Sequence, residues 1–396
     1  MAVVGASTAG LAAAGALRRH GFDGRLSIIG DEPHRPYDRP PLIKQFLAGE
    51  WDADRLALPG ADAPDLDADW RLGVAATGFD AATRTVRLAD GEELTSDGVV
   101  LTCGATPRSL PGTQGLAGIH TIRTLDDATA LRDEVTRTTG PVVVVGAGFV
   151  GAEVAATCRT LGRDVVLVEP LAVPLARVLG LEIGAVFADL HRDHGVDLRL
   201  GTGVERVAGD GNGRVARVQL ADGTAIDSAT VVVGIGVRPS TDWLAGSGLT
   251  IDDGIVCDAS CTAAPGVVAA GDVARWPNQV FDDDVGRIEH WDHAFAQAEH
   301  AAESLLAGDA AEPFATVPWF WSDQYDRKIQ LAGRVRPDDD VVVVDGSLAE
   351  RRFVALYGRA GRLVGVLGMN RPRHVVQLRP RIAERITLDE ALALFA

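Results

Sequence analysis

The chain has 396 residues, 46% hydrophobic and 23% charged, which is ordinary usage for a globular protein. That length allows two or three domains, each large enough to bury its own core. Acidic residues outnumber basic ones and give a formal charge of −17, which argues against broad surfaces for nucleic acid or anionic membranes. Four cysteines do not make a disulfide scaffold.

The first 17 residues imitate a signal peptide only in part. No basic residue precedes their apolar run, and Arg18 and Arg19 follow it. Elsewhere, glycine or a charge such as that of Glu153 interrupts each apolar stretch well before ~20 residues, the length of a membrane span. We therefore expect a cytoplasmic protein.

A strand-turn-helix-strand pattern occurs twice in the chain. Residues 2–32 predict a short strand, a glycine-rich turn, a helix and a second strand followed by two acidic residues. Residues 142–169 repeat this plan and end at Glu169. Two such βαβ units indicate two nucleotide-binding domains in tandem.

The second turn has the cleaner fingerprint, Gly146-Ala147-Gly148-Phe149-Val150-Gly151. One glycine permits the tight turn, another lets a pyrophosphate approach the backbone, and the third lets helix and strand pack closely. The helix N-terminus then presents free N–H groups to the negative charge. Glu169 follows roughly 20 residues later, where a carboxylate can hold both hydroxyls of an adenosine ribose.

Glu169 also predicts which dinucleotide is preferred. A 2′-phosphate beside this carboxylate would meet like-charge repulsion, and the next three residues contain no arginine to compensate. We therefore expect NADH to be preferred over NADPH. Arg177 is the nearby residue that could weaken this preference.

The first turn, residues 5–10, has Ser7 where the fingerprint has its middle glycine. Serine is small and its hydroxyl can donate to a phosphate, so a second dinucleotide site is still indicated; an ordinary βα turn is the alternative. Asp31 or Glu32 would hold the ribose. We favour Asp31 because it is closer to the strand end.

Three short apolar segments, residues 99–108, 231–239 and 267–272, are interpreted as crossovers between domains. After residue 313 the composition changes, and Trp319-Phe320-Trp321 opens a region of alternating strands. In this region basic residues outnumber acidic ones, and residues 387–395 predict an amphipathic helix.

Taken together, several segments resemble the FAD-dependent, NADH-linked ferredoxin reductases of bacterial oxygenase systems, the putidaredoxin reductase and rubredoxin reductase type. The departures from that pattern are Ser7 and Cys103, the latter where the family usually has threonine. The matching segments span nearly the whole chain: residues 5–10, 38–44, 102–108, 123–128, 146–153, 234–239, 271–272, 288–291 and 319–325.

This resemblance implies an α/β fold with two Rossmann-like nucleotide-binding domains, as in glutathione reductase, and a C-terminal α+β domain. The FAD-binding domain would be discontinuous and comprise residues 1–108 and 239–313. An NADH-binding domain over residues 109–238 would be inserted in it. Residues 314–396 would form the C-terminal reductase domain, which lies over the flavin in such proteins.

The resemblance also implies site residues. Lys44 would lie close to the flavin and Glu153 near the meeting point of nicotinamide and flavin, which makes both of them candidate catalytic residues. For FAD the expected residues are Gly5, Ser7, Thr8, Ala9, Gly10, Asp31, Glu32, Arg39, Lys44, Ala76, Cys103, Gly104, Arg123, Gly271, Asp272, Glu289, His290, Trp291 and Trp321. For NADH they are Gly146, Gly148, Phe149, Val150, Gly151, Glu153, Glu169, Arg177 and Gly236.

Within this FAD set the resemblance implies distinct roles. Ala9 would hold the pyrophosphate, Ala76 would contact the adenine side and Arg123 would touch FAD. Asp272 would bond the ribityl chain, and Trp291 would lie beside the isoalloxazine ring.

Several of these residues also have a structural interpretation. Lys44 can neutralise an anionic reduced flavin, or be a surface lysine. Glu153 is expected on the first turn of its helix, where the helix dipole alone would favour it. Asp272 follows an apolar strand and either faces a ligand at the sheet's carboxyl edge or caps a helix. The tryptophans could be core aromatics, and His290 and His293 are interpreted as structural rather than catalytic.

The implied chemistry is hydride transfer from NADH to flavin, followed by single-electron transfer to an iron-sulfur protein that serves a cytochrome P450 or a dioxygenase. Residues 1–102 contain no cysteine, which argues against a dithiol relay, and Cys257 and Cys261 lack partners at zinc-ligand spacing. No metal site is expected. Four arginines are candidates for a basic rim that steers an acidic ferredoxin, although a solvated helix face is equally consistent: Arg371, Arg373, Arg379 and Arg381.

Two other interpretations share this fold. The first is an NADH oxidase or a monodehydroascorbate-reductase-like enzyme that delivers electrons to a small molecule. The second is an NADH-sensing flavoprotein of the apoptosis-inducing-factor type, in which dinucleotide binding is a signal to a protein partner.

Overall fold

The computed structural model describes residues 1–282 and 284–396. The chain divides into two compact units: unit 1 is Met1–Asp38, Asp54–Thr106 and Arg238–Trp319, and unit 2 is Arg39–Ala53, Pro107–Val237 and Phe320–Ala396. Within the described ranges seven α-helices, α1 to α7, span Thr8–Arg19, Leu125–Arg137, Phe149–Thr160, Ala176–Asp193, Trp291–Ala307, Pro372–Ala383 and Leu388–Ala393.

Unit 1 is built on a six-stranded sheet. All of its neighbouring strands are parallel except the Thr262–Ala264 edge strand, which runs antiparallel to its neighbour. The central strands are fully buried and, apart from Ser27, apolar, as expected for parallel strands that are covered on both faces. In sheet order the strands are Thr262–Ala264, Val267–Ala269, Val99–Leu101, Ala2–Val4, Leu26–Gly30 and Ala68–Leu72.

Two smaller three-stranded sheets complete unit 1. One is an antiparallel meander, and the other combines a parallel pair with an antiparallel pair. Their strands are Ala76–Asp80, Thr85–Leu88 and Glu93–Thr95 in the first, and Ile255–Val256, Ala274–Asn278 and Asp284–Gly286 in the second.

Unit 2 repeats the parallel βαβ architecture with a five-stranded sheet. Its strands in order are Asp197–Leu200, Val165–Glu169, Val142–Val145, Thr230–Val233 and Ile119–His120, all parallel to their neighbours. An antiparallel sheet of Val204–Gly209, Val215–Leu220 and Ala225–Asp227 follows it. The helix α2 begins with a capping box, in which the Thr124 side chain accepts from the Asp127 N–H and Asp127 reaches back to Thr124.

The C-terminal part of unit 2 contains a five-stranded sheet and two helices. The predicted C-terminal helix is present as α7 and is capped by Thr387. The helix α6 was not predicted, because Pro372 and Pro380 interrupt the helical pattern of its sequence. In sheet order the strands are Trp319–Gln324, Arg327–Gly333, Arg362–Met369, Arg352–Arg359 and Asp340–Ser347.

The predicted crossovers need correction. Residues 99–108 and 231–239 each contain two strands, of which the second are Ala105–Pro107 and Val237–Pro239. The chain passes between the units within these second strands. Residues 267–272 are no crossover, because they lie inside unit 1 and add a strand to its sheet.

No helix in the described ranges is both long enough and apolar enough to cross a membrane.

Within unit 2, an aromatic cluster joins the C-terminal end of α4 to Tyr325, which directly follows the strand Trp319–Gln324. The ring of Tyr325 stacks on that of His194, with centroids 3.7 Å apart, and its hydroxyl lies 2.8 Å from His191 Nδ1. Burial, with a smaller contribution from His194, lowers the pKa of His191 to about 4.

This cluster predicts loss of stability in acid. The unfolded chain binds a proton at His191 near its ordinary pKa of 6.5, whereas the folded chain does so only near 4. The contribution of His191 to the free energy of unfolding is therefore fully present above about pH 7 and declines by about 3 kcal/mol as the pH falls to 4. In denaturant unfolding, H191L should flatten the dependence of the unfolding free energy on pH between 7 and 4, and H300Q should not. An unchanged slope in H191L would contradict the prediction.

Candidate functional site

In unit 2, the turn before α3 is closed on one side by backbone and open on the other. A Cβ on Gly146 would lie 2.4 Å from the Gly234 oxygen, and one on Gly151 would lie 2.0 Å from the Gly146 oxygen. At Gly148, in contrast, the described residues beyond the immediate chain neighbours place no heavy atom within 4 Å of a Cβ. The open side is a cradle that a pyrophosphate could enter.

The groups around this cradle suit an adenine dinucleotide. The N-cap residue of α3 is Gly148, so no side chain of that residue caps the N-terminal amides of the helix. The Glu169 carboxylate accepts from the Ala147 N–H at 2.8 Å and from the Leu171 N–H at 3.0 Å. Each of its oxygens keeps a lone pair for a ribose hydroxyl, and its charge disfavours a 2′-phosphate.

The other predicted NADH residues lie around the same turn. Phe149 begins α3 and packs edge-on against Phe320, with centroids 4.5 Å apart. Val150 is exposed although it is apolar. Arg177 is exposed on the first turn of α4, and Gly236 has φ +92° after the adjacent strand.

In unit 1, the turn of residues 5–10 has the same backbone closure. A Cβ on Gly5 would lie 2.2 Å from the Thr102 oxygen, and one on Gly10 would lie 1.8 Å from the Gly5 oxygen. Ser7 is the N-cap residue of α1, and its hydroxyl makes no capping bond to the helix. The degraded fingerprint therefore keeps the geometry of a phosphate-binding turn, which fits a second dinucleotide.

Both acidic candidates lie at the carboxyl end of the neighbouring strand. Asp31 is exposed, whereas Glu32 is half-buried and accepts a hydrogen bond from the Tyr37 hydroxyl. The choice between them for the ribose stays a prediction.

The Gly271-Asp272 turn lies beside the first glycine turn in unit 1. A Cβ on Gly271 would lie 3.4 Å from the Cβ atoms of both Ala9 and Ala294, so the turn packs between α1 and α5. Burial lowers the pKa of His290 to about 4, while the charge of Asp272 raises it. His290 directly precedes α5, and the Trp291 ring stacks on Phe295.

Two side chains that hold this turn were missed by the sequence analysis. The fully buried Gln297 accepts from the Gly271 N–H at 2.9 Å and lies 3.1 Å from His293 Nε2. Arg287 donates to the Asp272 carbonyl and to Glu289 Oε1, both at 2.7 Å. The signal for Gln297 was its position among the alanines that form the buried face of α5.

Lys44 is buried in unit 2, so its interpretation as a surface lysine was wrong. It follows the 3₁₀ turn Pro40–Ile43, and 9% of its side chain is exposed. Its Nζ lies 3.1 Å from Glu153 Oε1 and 3.1 Å from Asp323 Oδ2. The Trp321 ring centre is 5.5 Å away.

Glu153 lies on the second turn of α3, not the first as predicted, so the helix dipole does not explain it. It accepts from the Asp323 backbone N–H at 2.9 Å. Burial raises its pKa, whereas Lys44 and hydrogen bonds from Ser322 and Asp323 lower it. The contacts that hold this carboxylate come from Lys44 and from the strand that contains Trp321.

The residues predicted for FAD are divided between the units. Arg39, Lys44, Arg123 and Trp321 belong to unit 2, and the others belong to unit 1. Arg39 donates to the Arg123 carbonyl, and the Arg123 N–H donates to Asp127 at 3.0 Å.

In unit 1, Ala76 opens its strand and Gly104 has φ +67°. The Cys103 thiol donates to the Ser240 carbonyl at 3.3 Å. All four cysteines are free, and burial raises the pKa of Cys103, Cys158 and Cys257 to about 12. Burial likewise raises the pKa of Cys261. These thiols are therefore poor nucleophiles at neutral pH. The described residues hold no cluster of His, Cys, Asp and Glu that could bind a metal ion.

A family model described as pyridine nucleotide-disulphide oxidoreductase matches residues 1–298. A second, described as reductase C-terminal, matches residues 319–394. The chain belongs to the pyridine nucleotide-disulphide oxidoreductase family.

Similar members of this oxidoreductase family cover nearly the whole chain. A 5,5′-dehydrodivanillate O-demethylase ferredoxin reductase subunit from Sphingobium sp. is 37% identical over 98% of this chain and 94% of its own length. Rhodocoxin reductase from Rhodococcus erythropolis is 37% identical over 98% and 90%. The solved covalent putidaredoxin reductase–putidaredoxin complex matches with a TM-score of 0.92 at 33% identity, over 99% of this chain and 94% of that one.

These relatives confirm the resemblance to ferredoxin reductases and the predicted fold class. The chain is an oxidoreductase of this family.

Gln297 supplies a test of the unit 1 site. Q297L leaves the buried Gly271 N–H without its acceptor, which costs about 1–3 kcal/mol. If the turn binds FAD, FAD affinity should fall about tenfold or more in a fluorescence titration. The exposed-surface control Q377L should retain wild-type affinity. Wild-type affinity in Q297L would contradict this assignment.

Glu169 supplies a test of the unit 2 site. In the wild type, kcat/KM should be higher with NADH than with NADPH. E169Q should lower the ratio of these two kcat/KM values by about tenfold, because the repelling charge is gone. Activity with NADH should also fall, since an amide cannot accept from both backbone N–H groups. E205Q, on an exposed strand position, is the control. A wild-type ratio that favours NADPH would remove the assignment.

Proposed function

We propose that this chain is an FAD-containing ferredoxin reductase that takes a hydride from NADH and passes single electrons to a ferredoxin-type iron-sulfur protein. That protein would serve a cytochrome P450 or a dioxygenase. The observation that carries the proposal is the pair of backbone-closed glycine turns, one in each unit; the unit 2 turn is open at Gly148. The ferredoxin reductase relatives support the choice of acceptor.

FAD, when bound, supplies the conversion of a two-electron donor into one-electron transfers. The chain's own residues would bind and orient the two dinucleotides and balance the charge around them. The unit 1 turn of residues 5–10 and Asp272 would hold the FAD, and the unit 2 turn with Glu169 would hold the NADH. Lys44 would supply a buried positive charge, with Glu153 as its partner.

The proposed domain division is residues 1–108 with 239–313, 109–238, and 314–396. The two parallel sheets and the C-terminal sheet support it. The compact units group the chain differently, since unit 2 contains both Arg39–Ala53 and the residues from 320 onward. We also propose a cytoplasmic location, which free cysteines suit because that compartment is reducing.

The proposed basic rim for the ferredoxin contains fewer unbalanced charges than the sequence suggested. Arg371 pairs with Asp345, and Arg381 pairs with Glu384, so both charges are partly balanced. Arg373 is exposed on α6 and Arg379 is half-buried. Arg373 is therefore the strongest member of the rim.

The test of the function is a steady-state assay with cytochrome c as the final acceptor. Fast reduction of cytochrome c by NADH should require an added ferredoxin, and should weaken as salt is raised. R373A should weaken the salt dependence, whereas R352A, on an exposed strand position, should not. Rapid oxygen or quinone consumption without ferredoxin would favour an oxidase. A long-lived charge-transfer complex with negligible turnover would favour a signalling flavoprotein.

A further inference from the structure

Asp323 contacts both members of the Lys44–Glu153 pair. Its backbone N–H donates to Glu153 Oε1 at 2.9 Å, and its carboxylate Oδ2 lies 3.1 Å from Lys44 Nζ. These two contacts use different parts of the residue, so a single residue positions the ammonium and the carboxylate together. Asp323 belongs to the motif Trp-Phe-Trp-Ser-Asp-Gln, to which the sequence analysis gave no role beyond Trp321.

The three groups differ in their access to water. The side chains of Lys44 and Glu153 are 9% and 6% exposed, whereas that of Asp323 is 40% exposed. Asp323 is thus the member of the cluster that can exchange protons with solvent directly. The side chains of Lys44 and Glu153 are shielded from solvent, so a proton held by Glu153 has no direct contact with water comparable to that of Asp323.

The charges of the cluster do not cancel. One ammonium faces two carboxylates, and ionising both leaves one negative charge in excess. The groups that act on Glu153 are Lys44, which follows the 3₁₀ turn Pro40–Ile43, and the Ser322 hydroxyl and Asp323 of the strand Trp319–Gln324. Because Asp323 shares the single positive charge, Glu153 is the carboxyl that desolvation most readily leaves protonated.

The proposed reaction produces a proton that must leave the protein. When one NADH gives its two electrons to two one-electron acceptors, the products are NAD⁺, two reduced acceptors and one H⁺. Electrons can leave through an iron-sulfur partner, but that proton has to reach water by another route.

We propose that Asp323 is the positioning residue that fixes the Lys44–Glu153 pair and forms the solvent end of its proton exit. Lys44 gives a proton from Nζ to Asp323 Oδ2 and takes the proton from Glu153 Oε1, so the lysine ends unchanged. Asp323 then releases the proton to water. The net movement is one proton from Glu153 to solvent, with no electron transferred and no other bond broken, and Glu153 would regain its proton from the H⁺ that NADH oxidation releases.

This inference rests on the proposed function, because that function generates the proton. The two can fail separately. If the wild-type holoenzyme does not oxidise NADH with a one-electron acceptor, the proposed function fails. If the wild type is active and the Asp323 variants behave like the wild type, only the inference fails.

The variant that tests it is D323N in the FAD-loaded, full-length protein. Asparagine keeps the backbone N–H and the side-chain size but cannot serve as the carboxylate that receives the proton. The kcat with ferricyanide should fall about tenfold while the KM for NADH stays within about twofold. The solvent deuterium isotope effect on kcat should rise, because proton exit becomes limiting. D323E should restore most of the rate.

A second readout does not depend on turnover. In D323N, Lys44 faces Glu153 alone, so the Glu153 carboxyl should ionise at lower pH than in the wild type, by about tenfold in proton affinity. Difference infrared spectra of the carboxyl C=O band over a pH titration measure this, and E153Q identifies the band. The matched control is D326N on the same hairpin, whose carboxylate pairs with Arg327. An infrared titration and isotope effect in D323N equal to those of D326N would overturn the proposal.

Discussion

The contact on which both sites depend is backbone against backbone. In each unit the glycine turn folds so tightly that a Cβ at its first or last glycine would lie within 2.5 Å of a carbonyl oxygen. This closure places the first turn of α1 and of α3 directly at the carboxyl edge of a parallel sheet, where the helix N–H groups face outward. A larger side chain at Gly10 or Gly151 would force helix and strand apart, so the cradle and the packing of the helix are lost together.

Residues 320–325, which comprise most of the strand Trp319–Gln324 and the Tyr325 that follows it, add side chains to this scaffold in unit 2. Phe320 packs on Phe149 at the start of α3, Asp323 holds Glu153 one turn further along, and Tyr325 stacks on His194 at the end of α4. The strand therefore contacts the dinucleotide turn and the Lys44 cluster along one continuous path. Any displacement of the strand would alter the charge around Lys44 as well as the packing of Phe149.

The sequence predicted the repeated βαβ units well because each is local: an apolar strand, a glycine turn and an amphipathic helix follow one another within about thirty residues. The buried charge cluster was not predictable in this way. Lys44 and Asp323 are 279 residues apart, and no local pattern shows that a lysine after a proline-rich turn will be buried between two carboxylates. Gln297 was missed for the same reason, because its partner Gly271 lies on another segment and only the fold brings the amide to the turn.

The proposed function requires that one chain binds FAD, accepts NADH and reduces the flavin with it. An anaerobic titration of the purified yellow protein, followed in the visible spectrum, tests this most directly. We expect one FAD per chain and bleaching that is complete after one equivalent of NADH. A protein that stays colourless after reconstitution with FAD, or that keeps its oxidised spectrum in excess NADH, would contradict it.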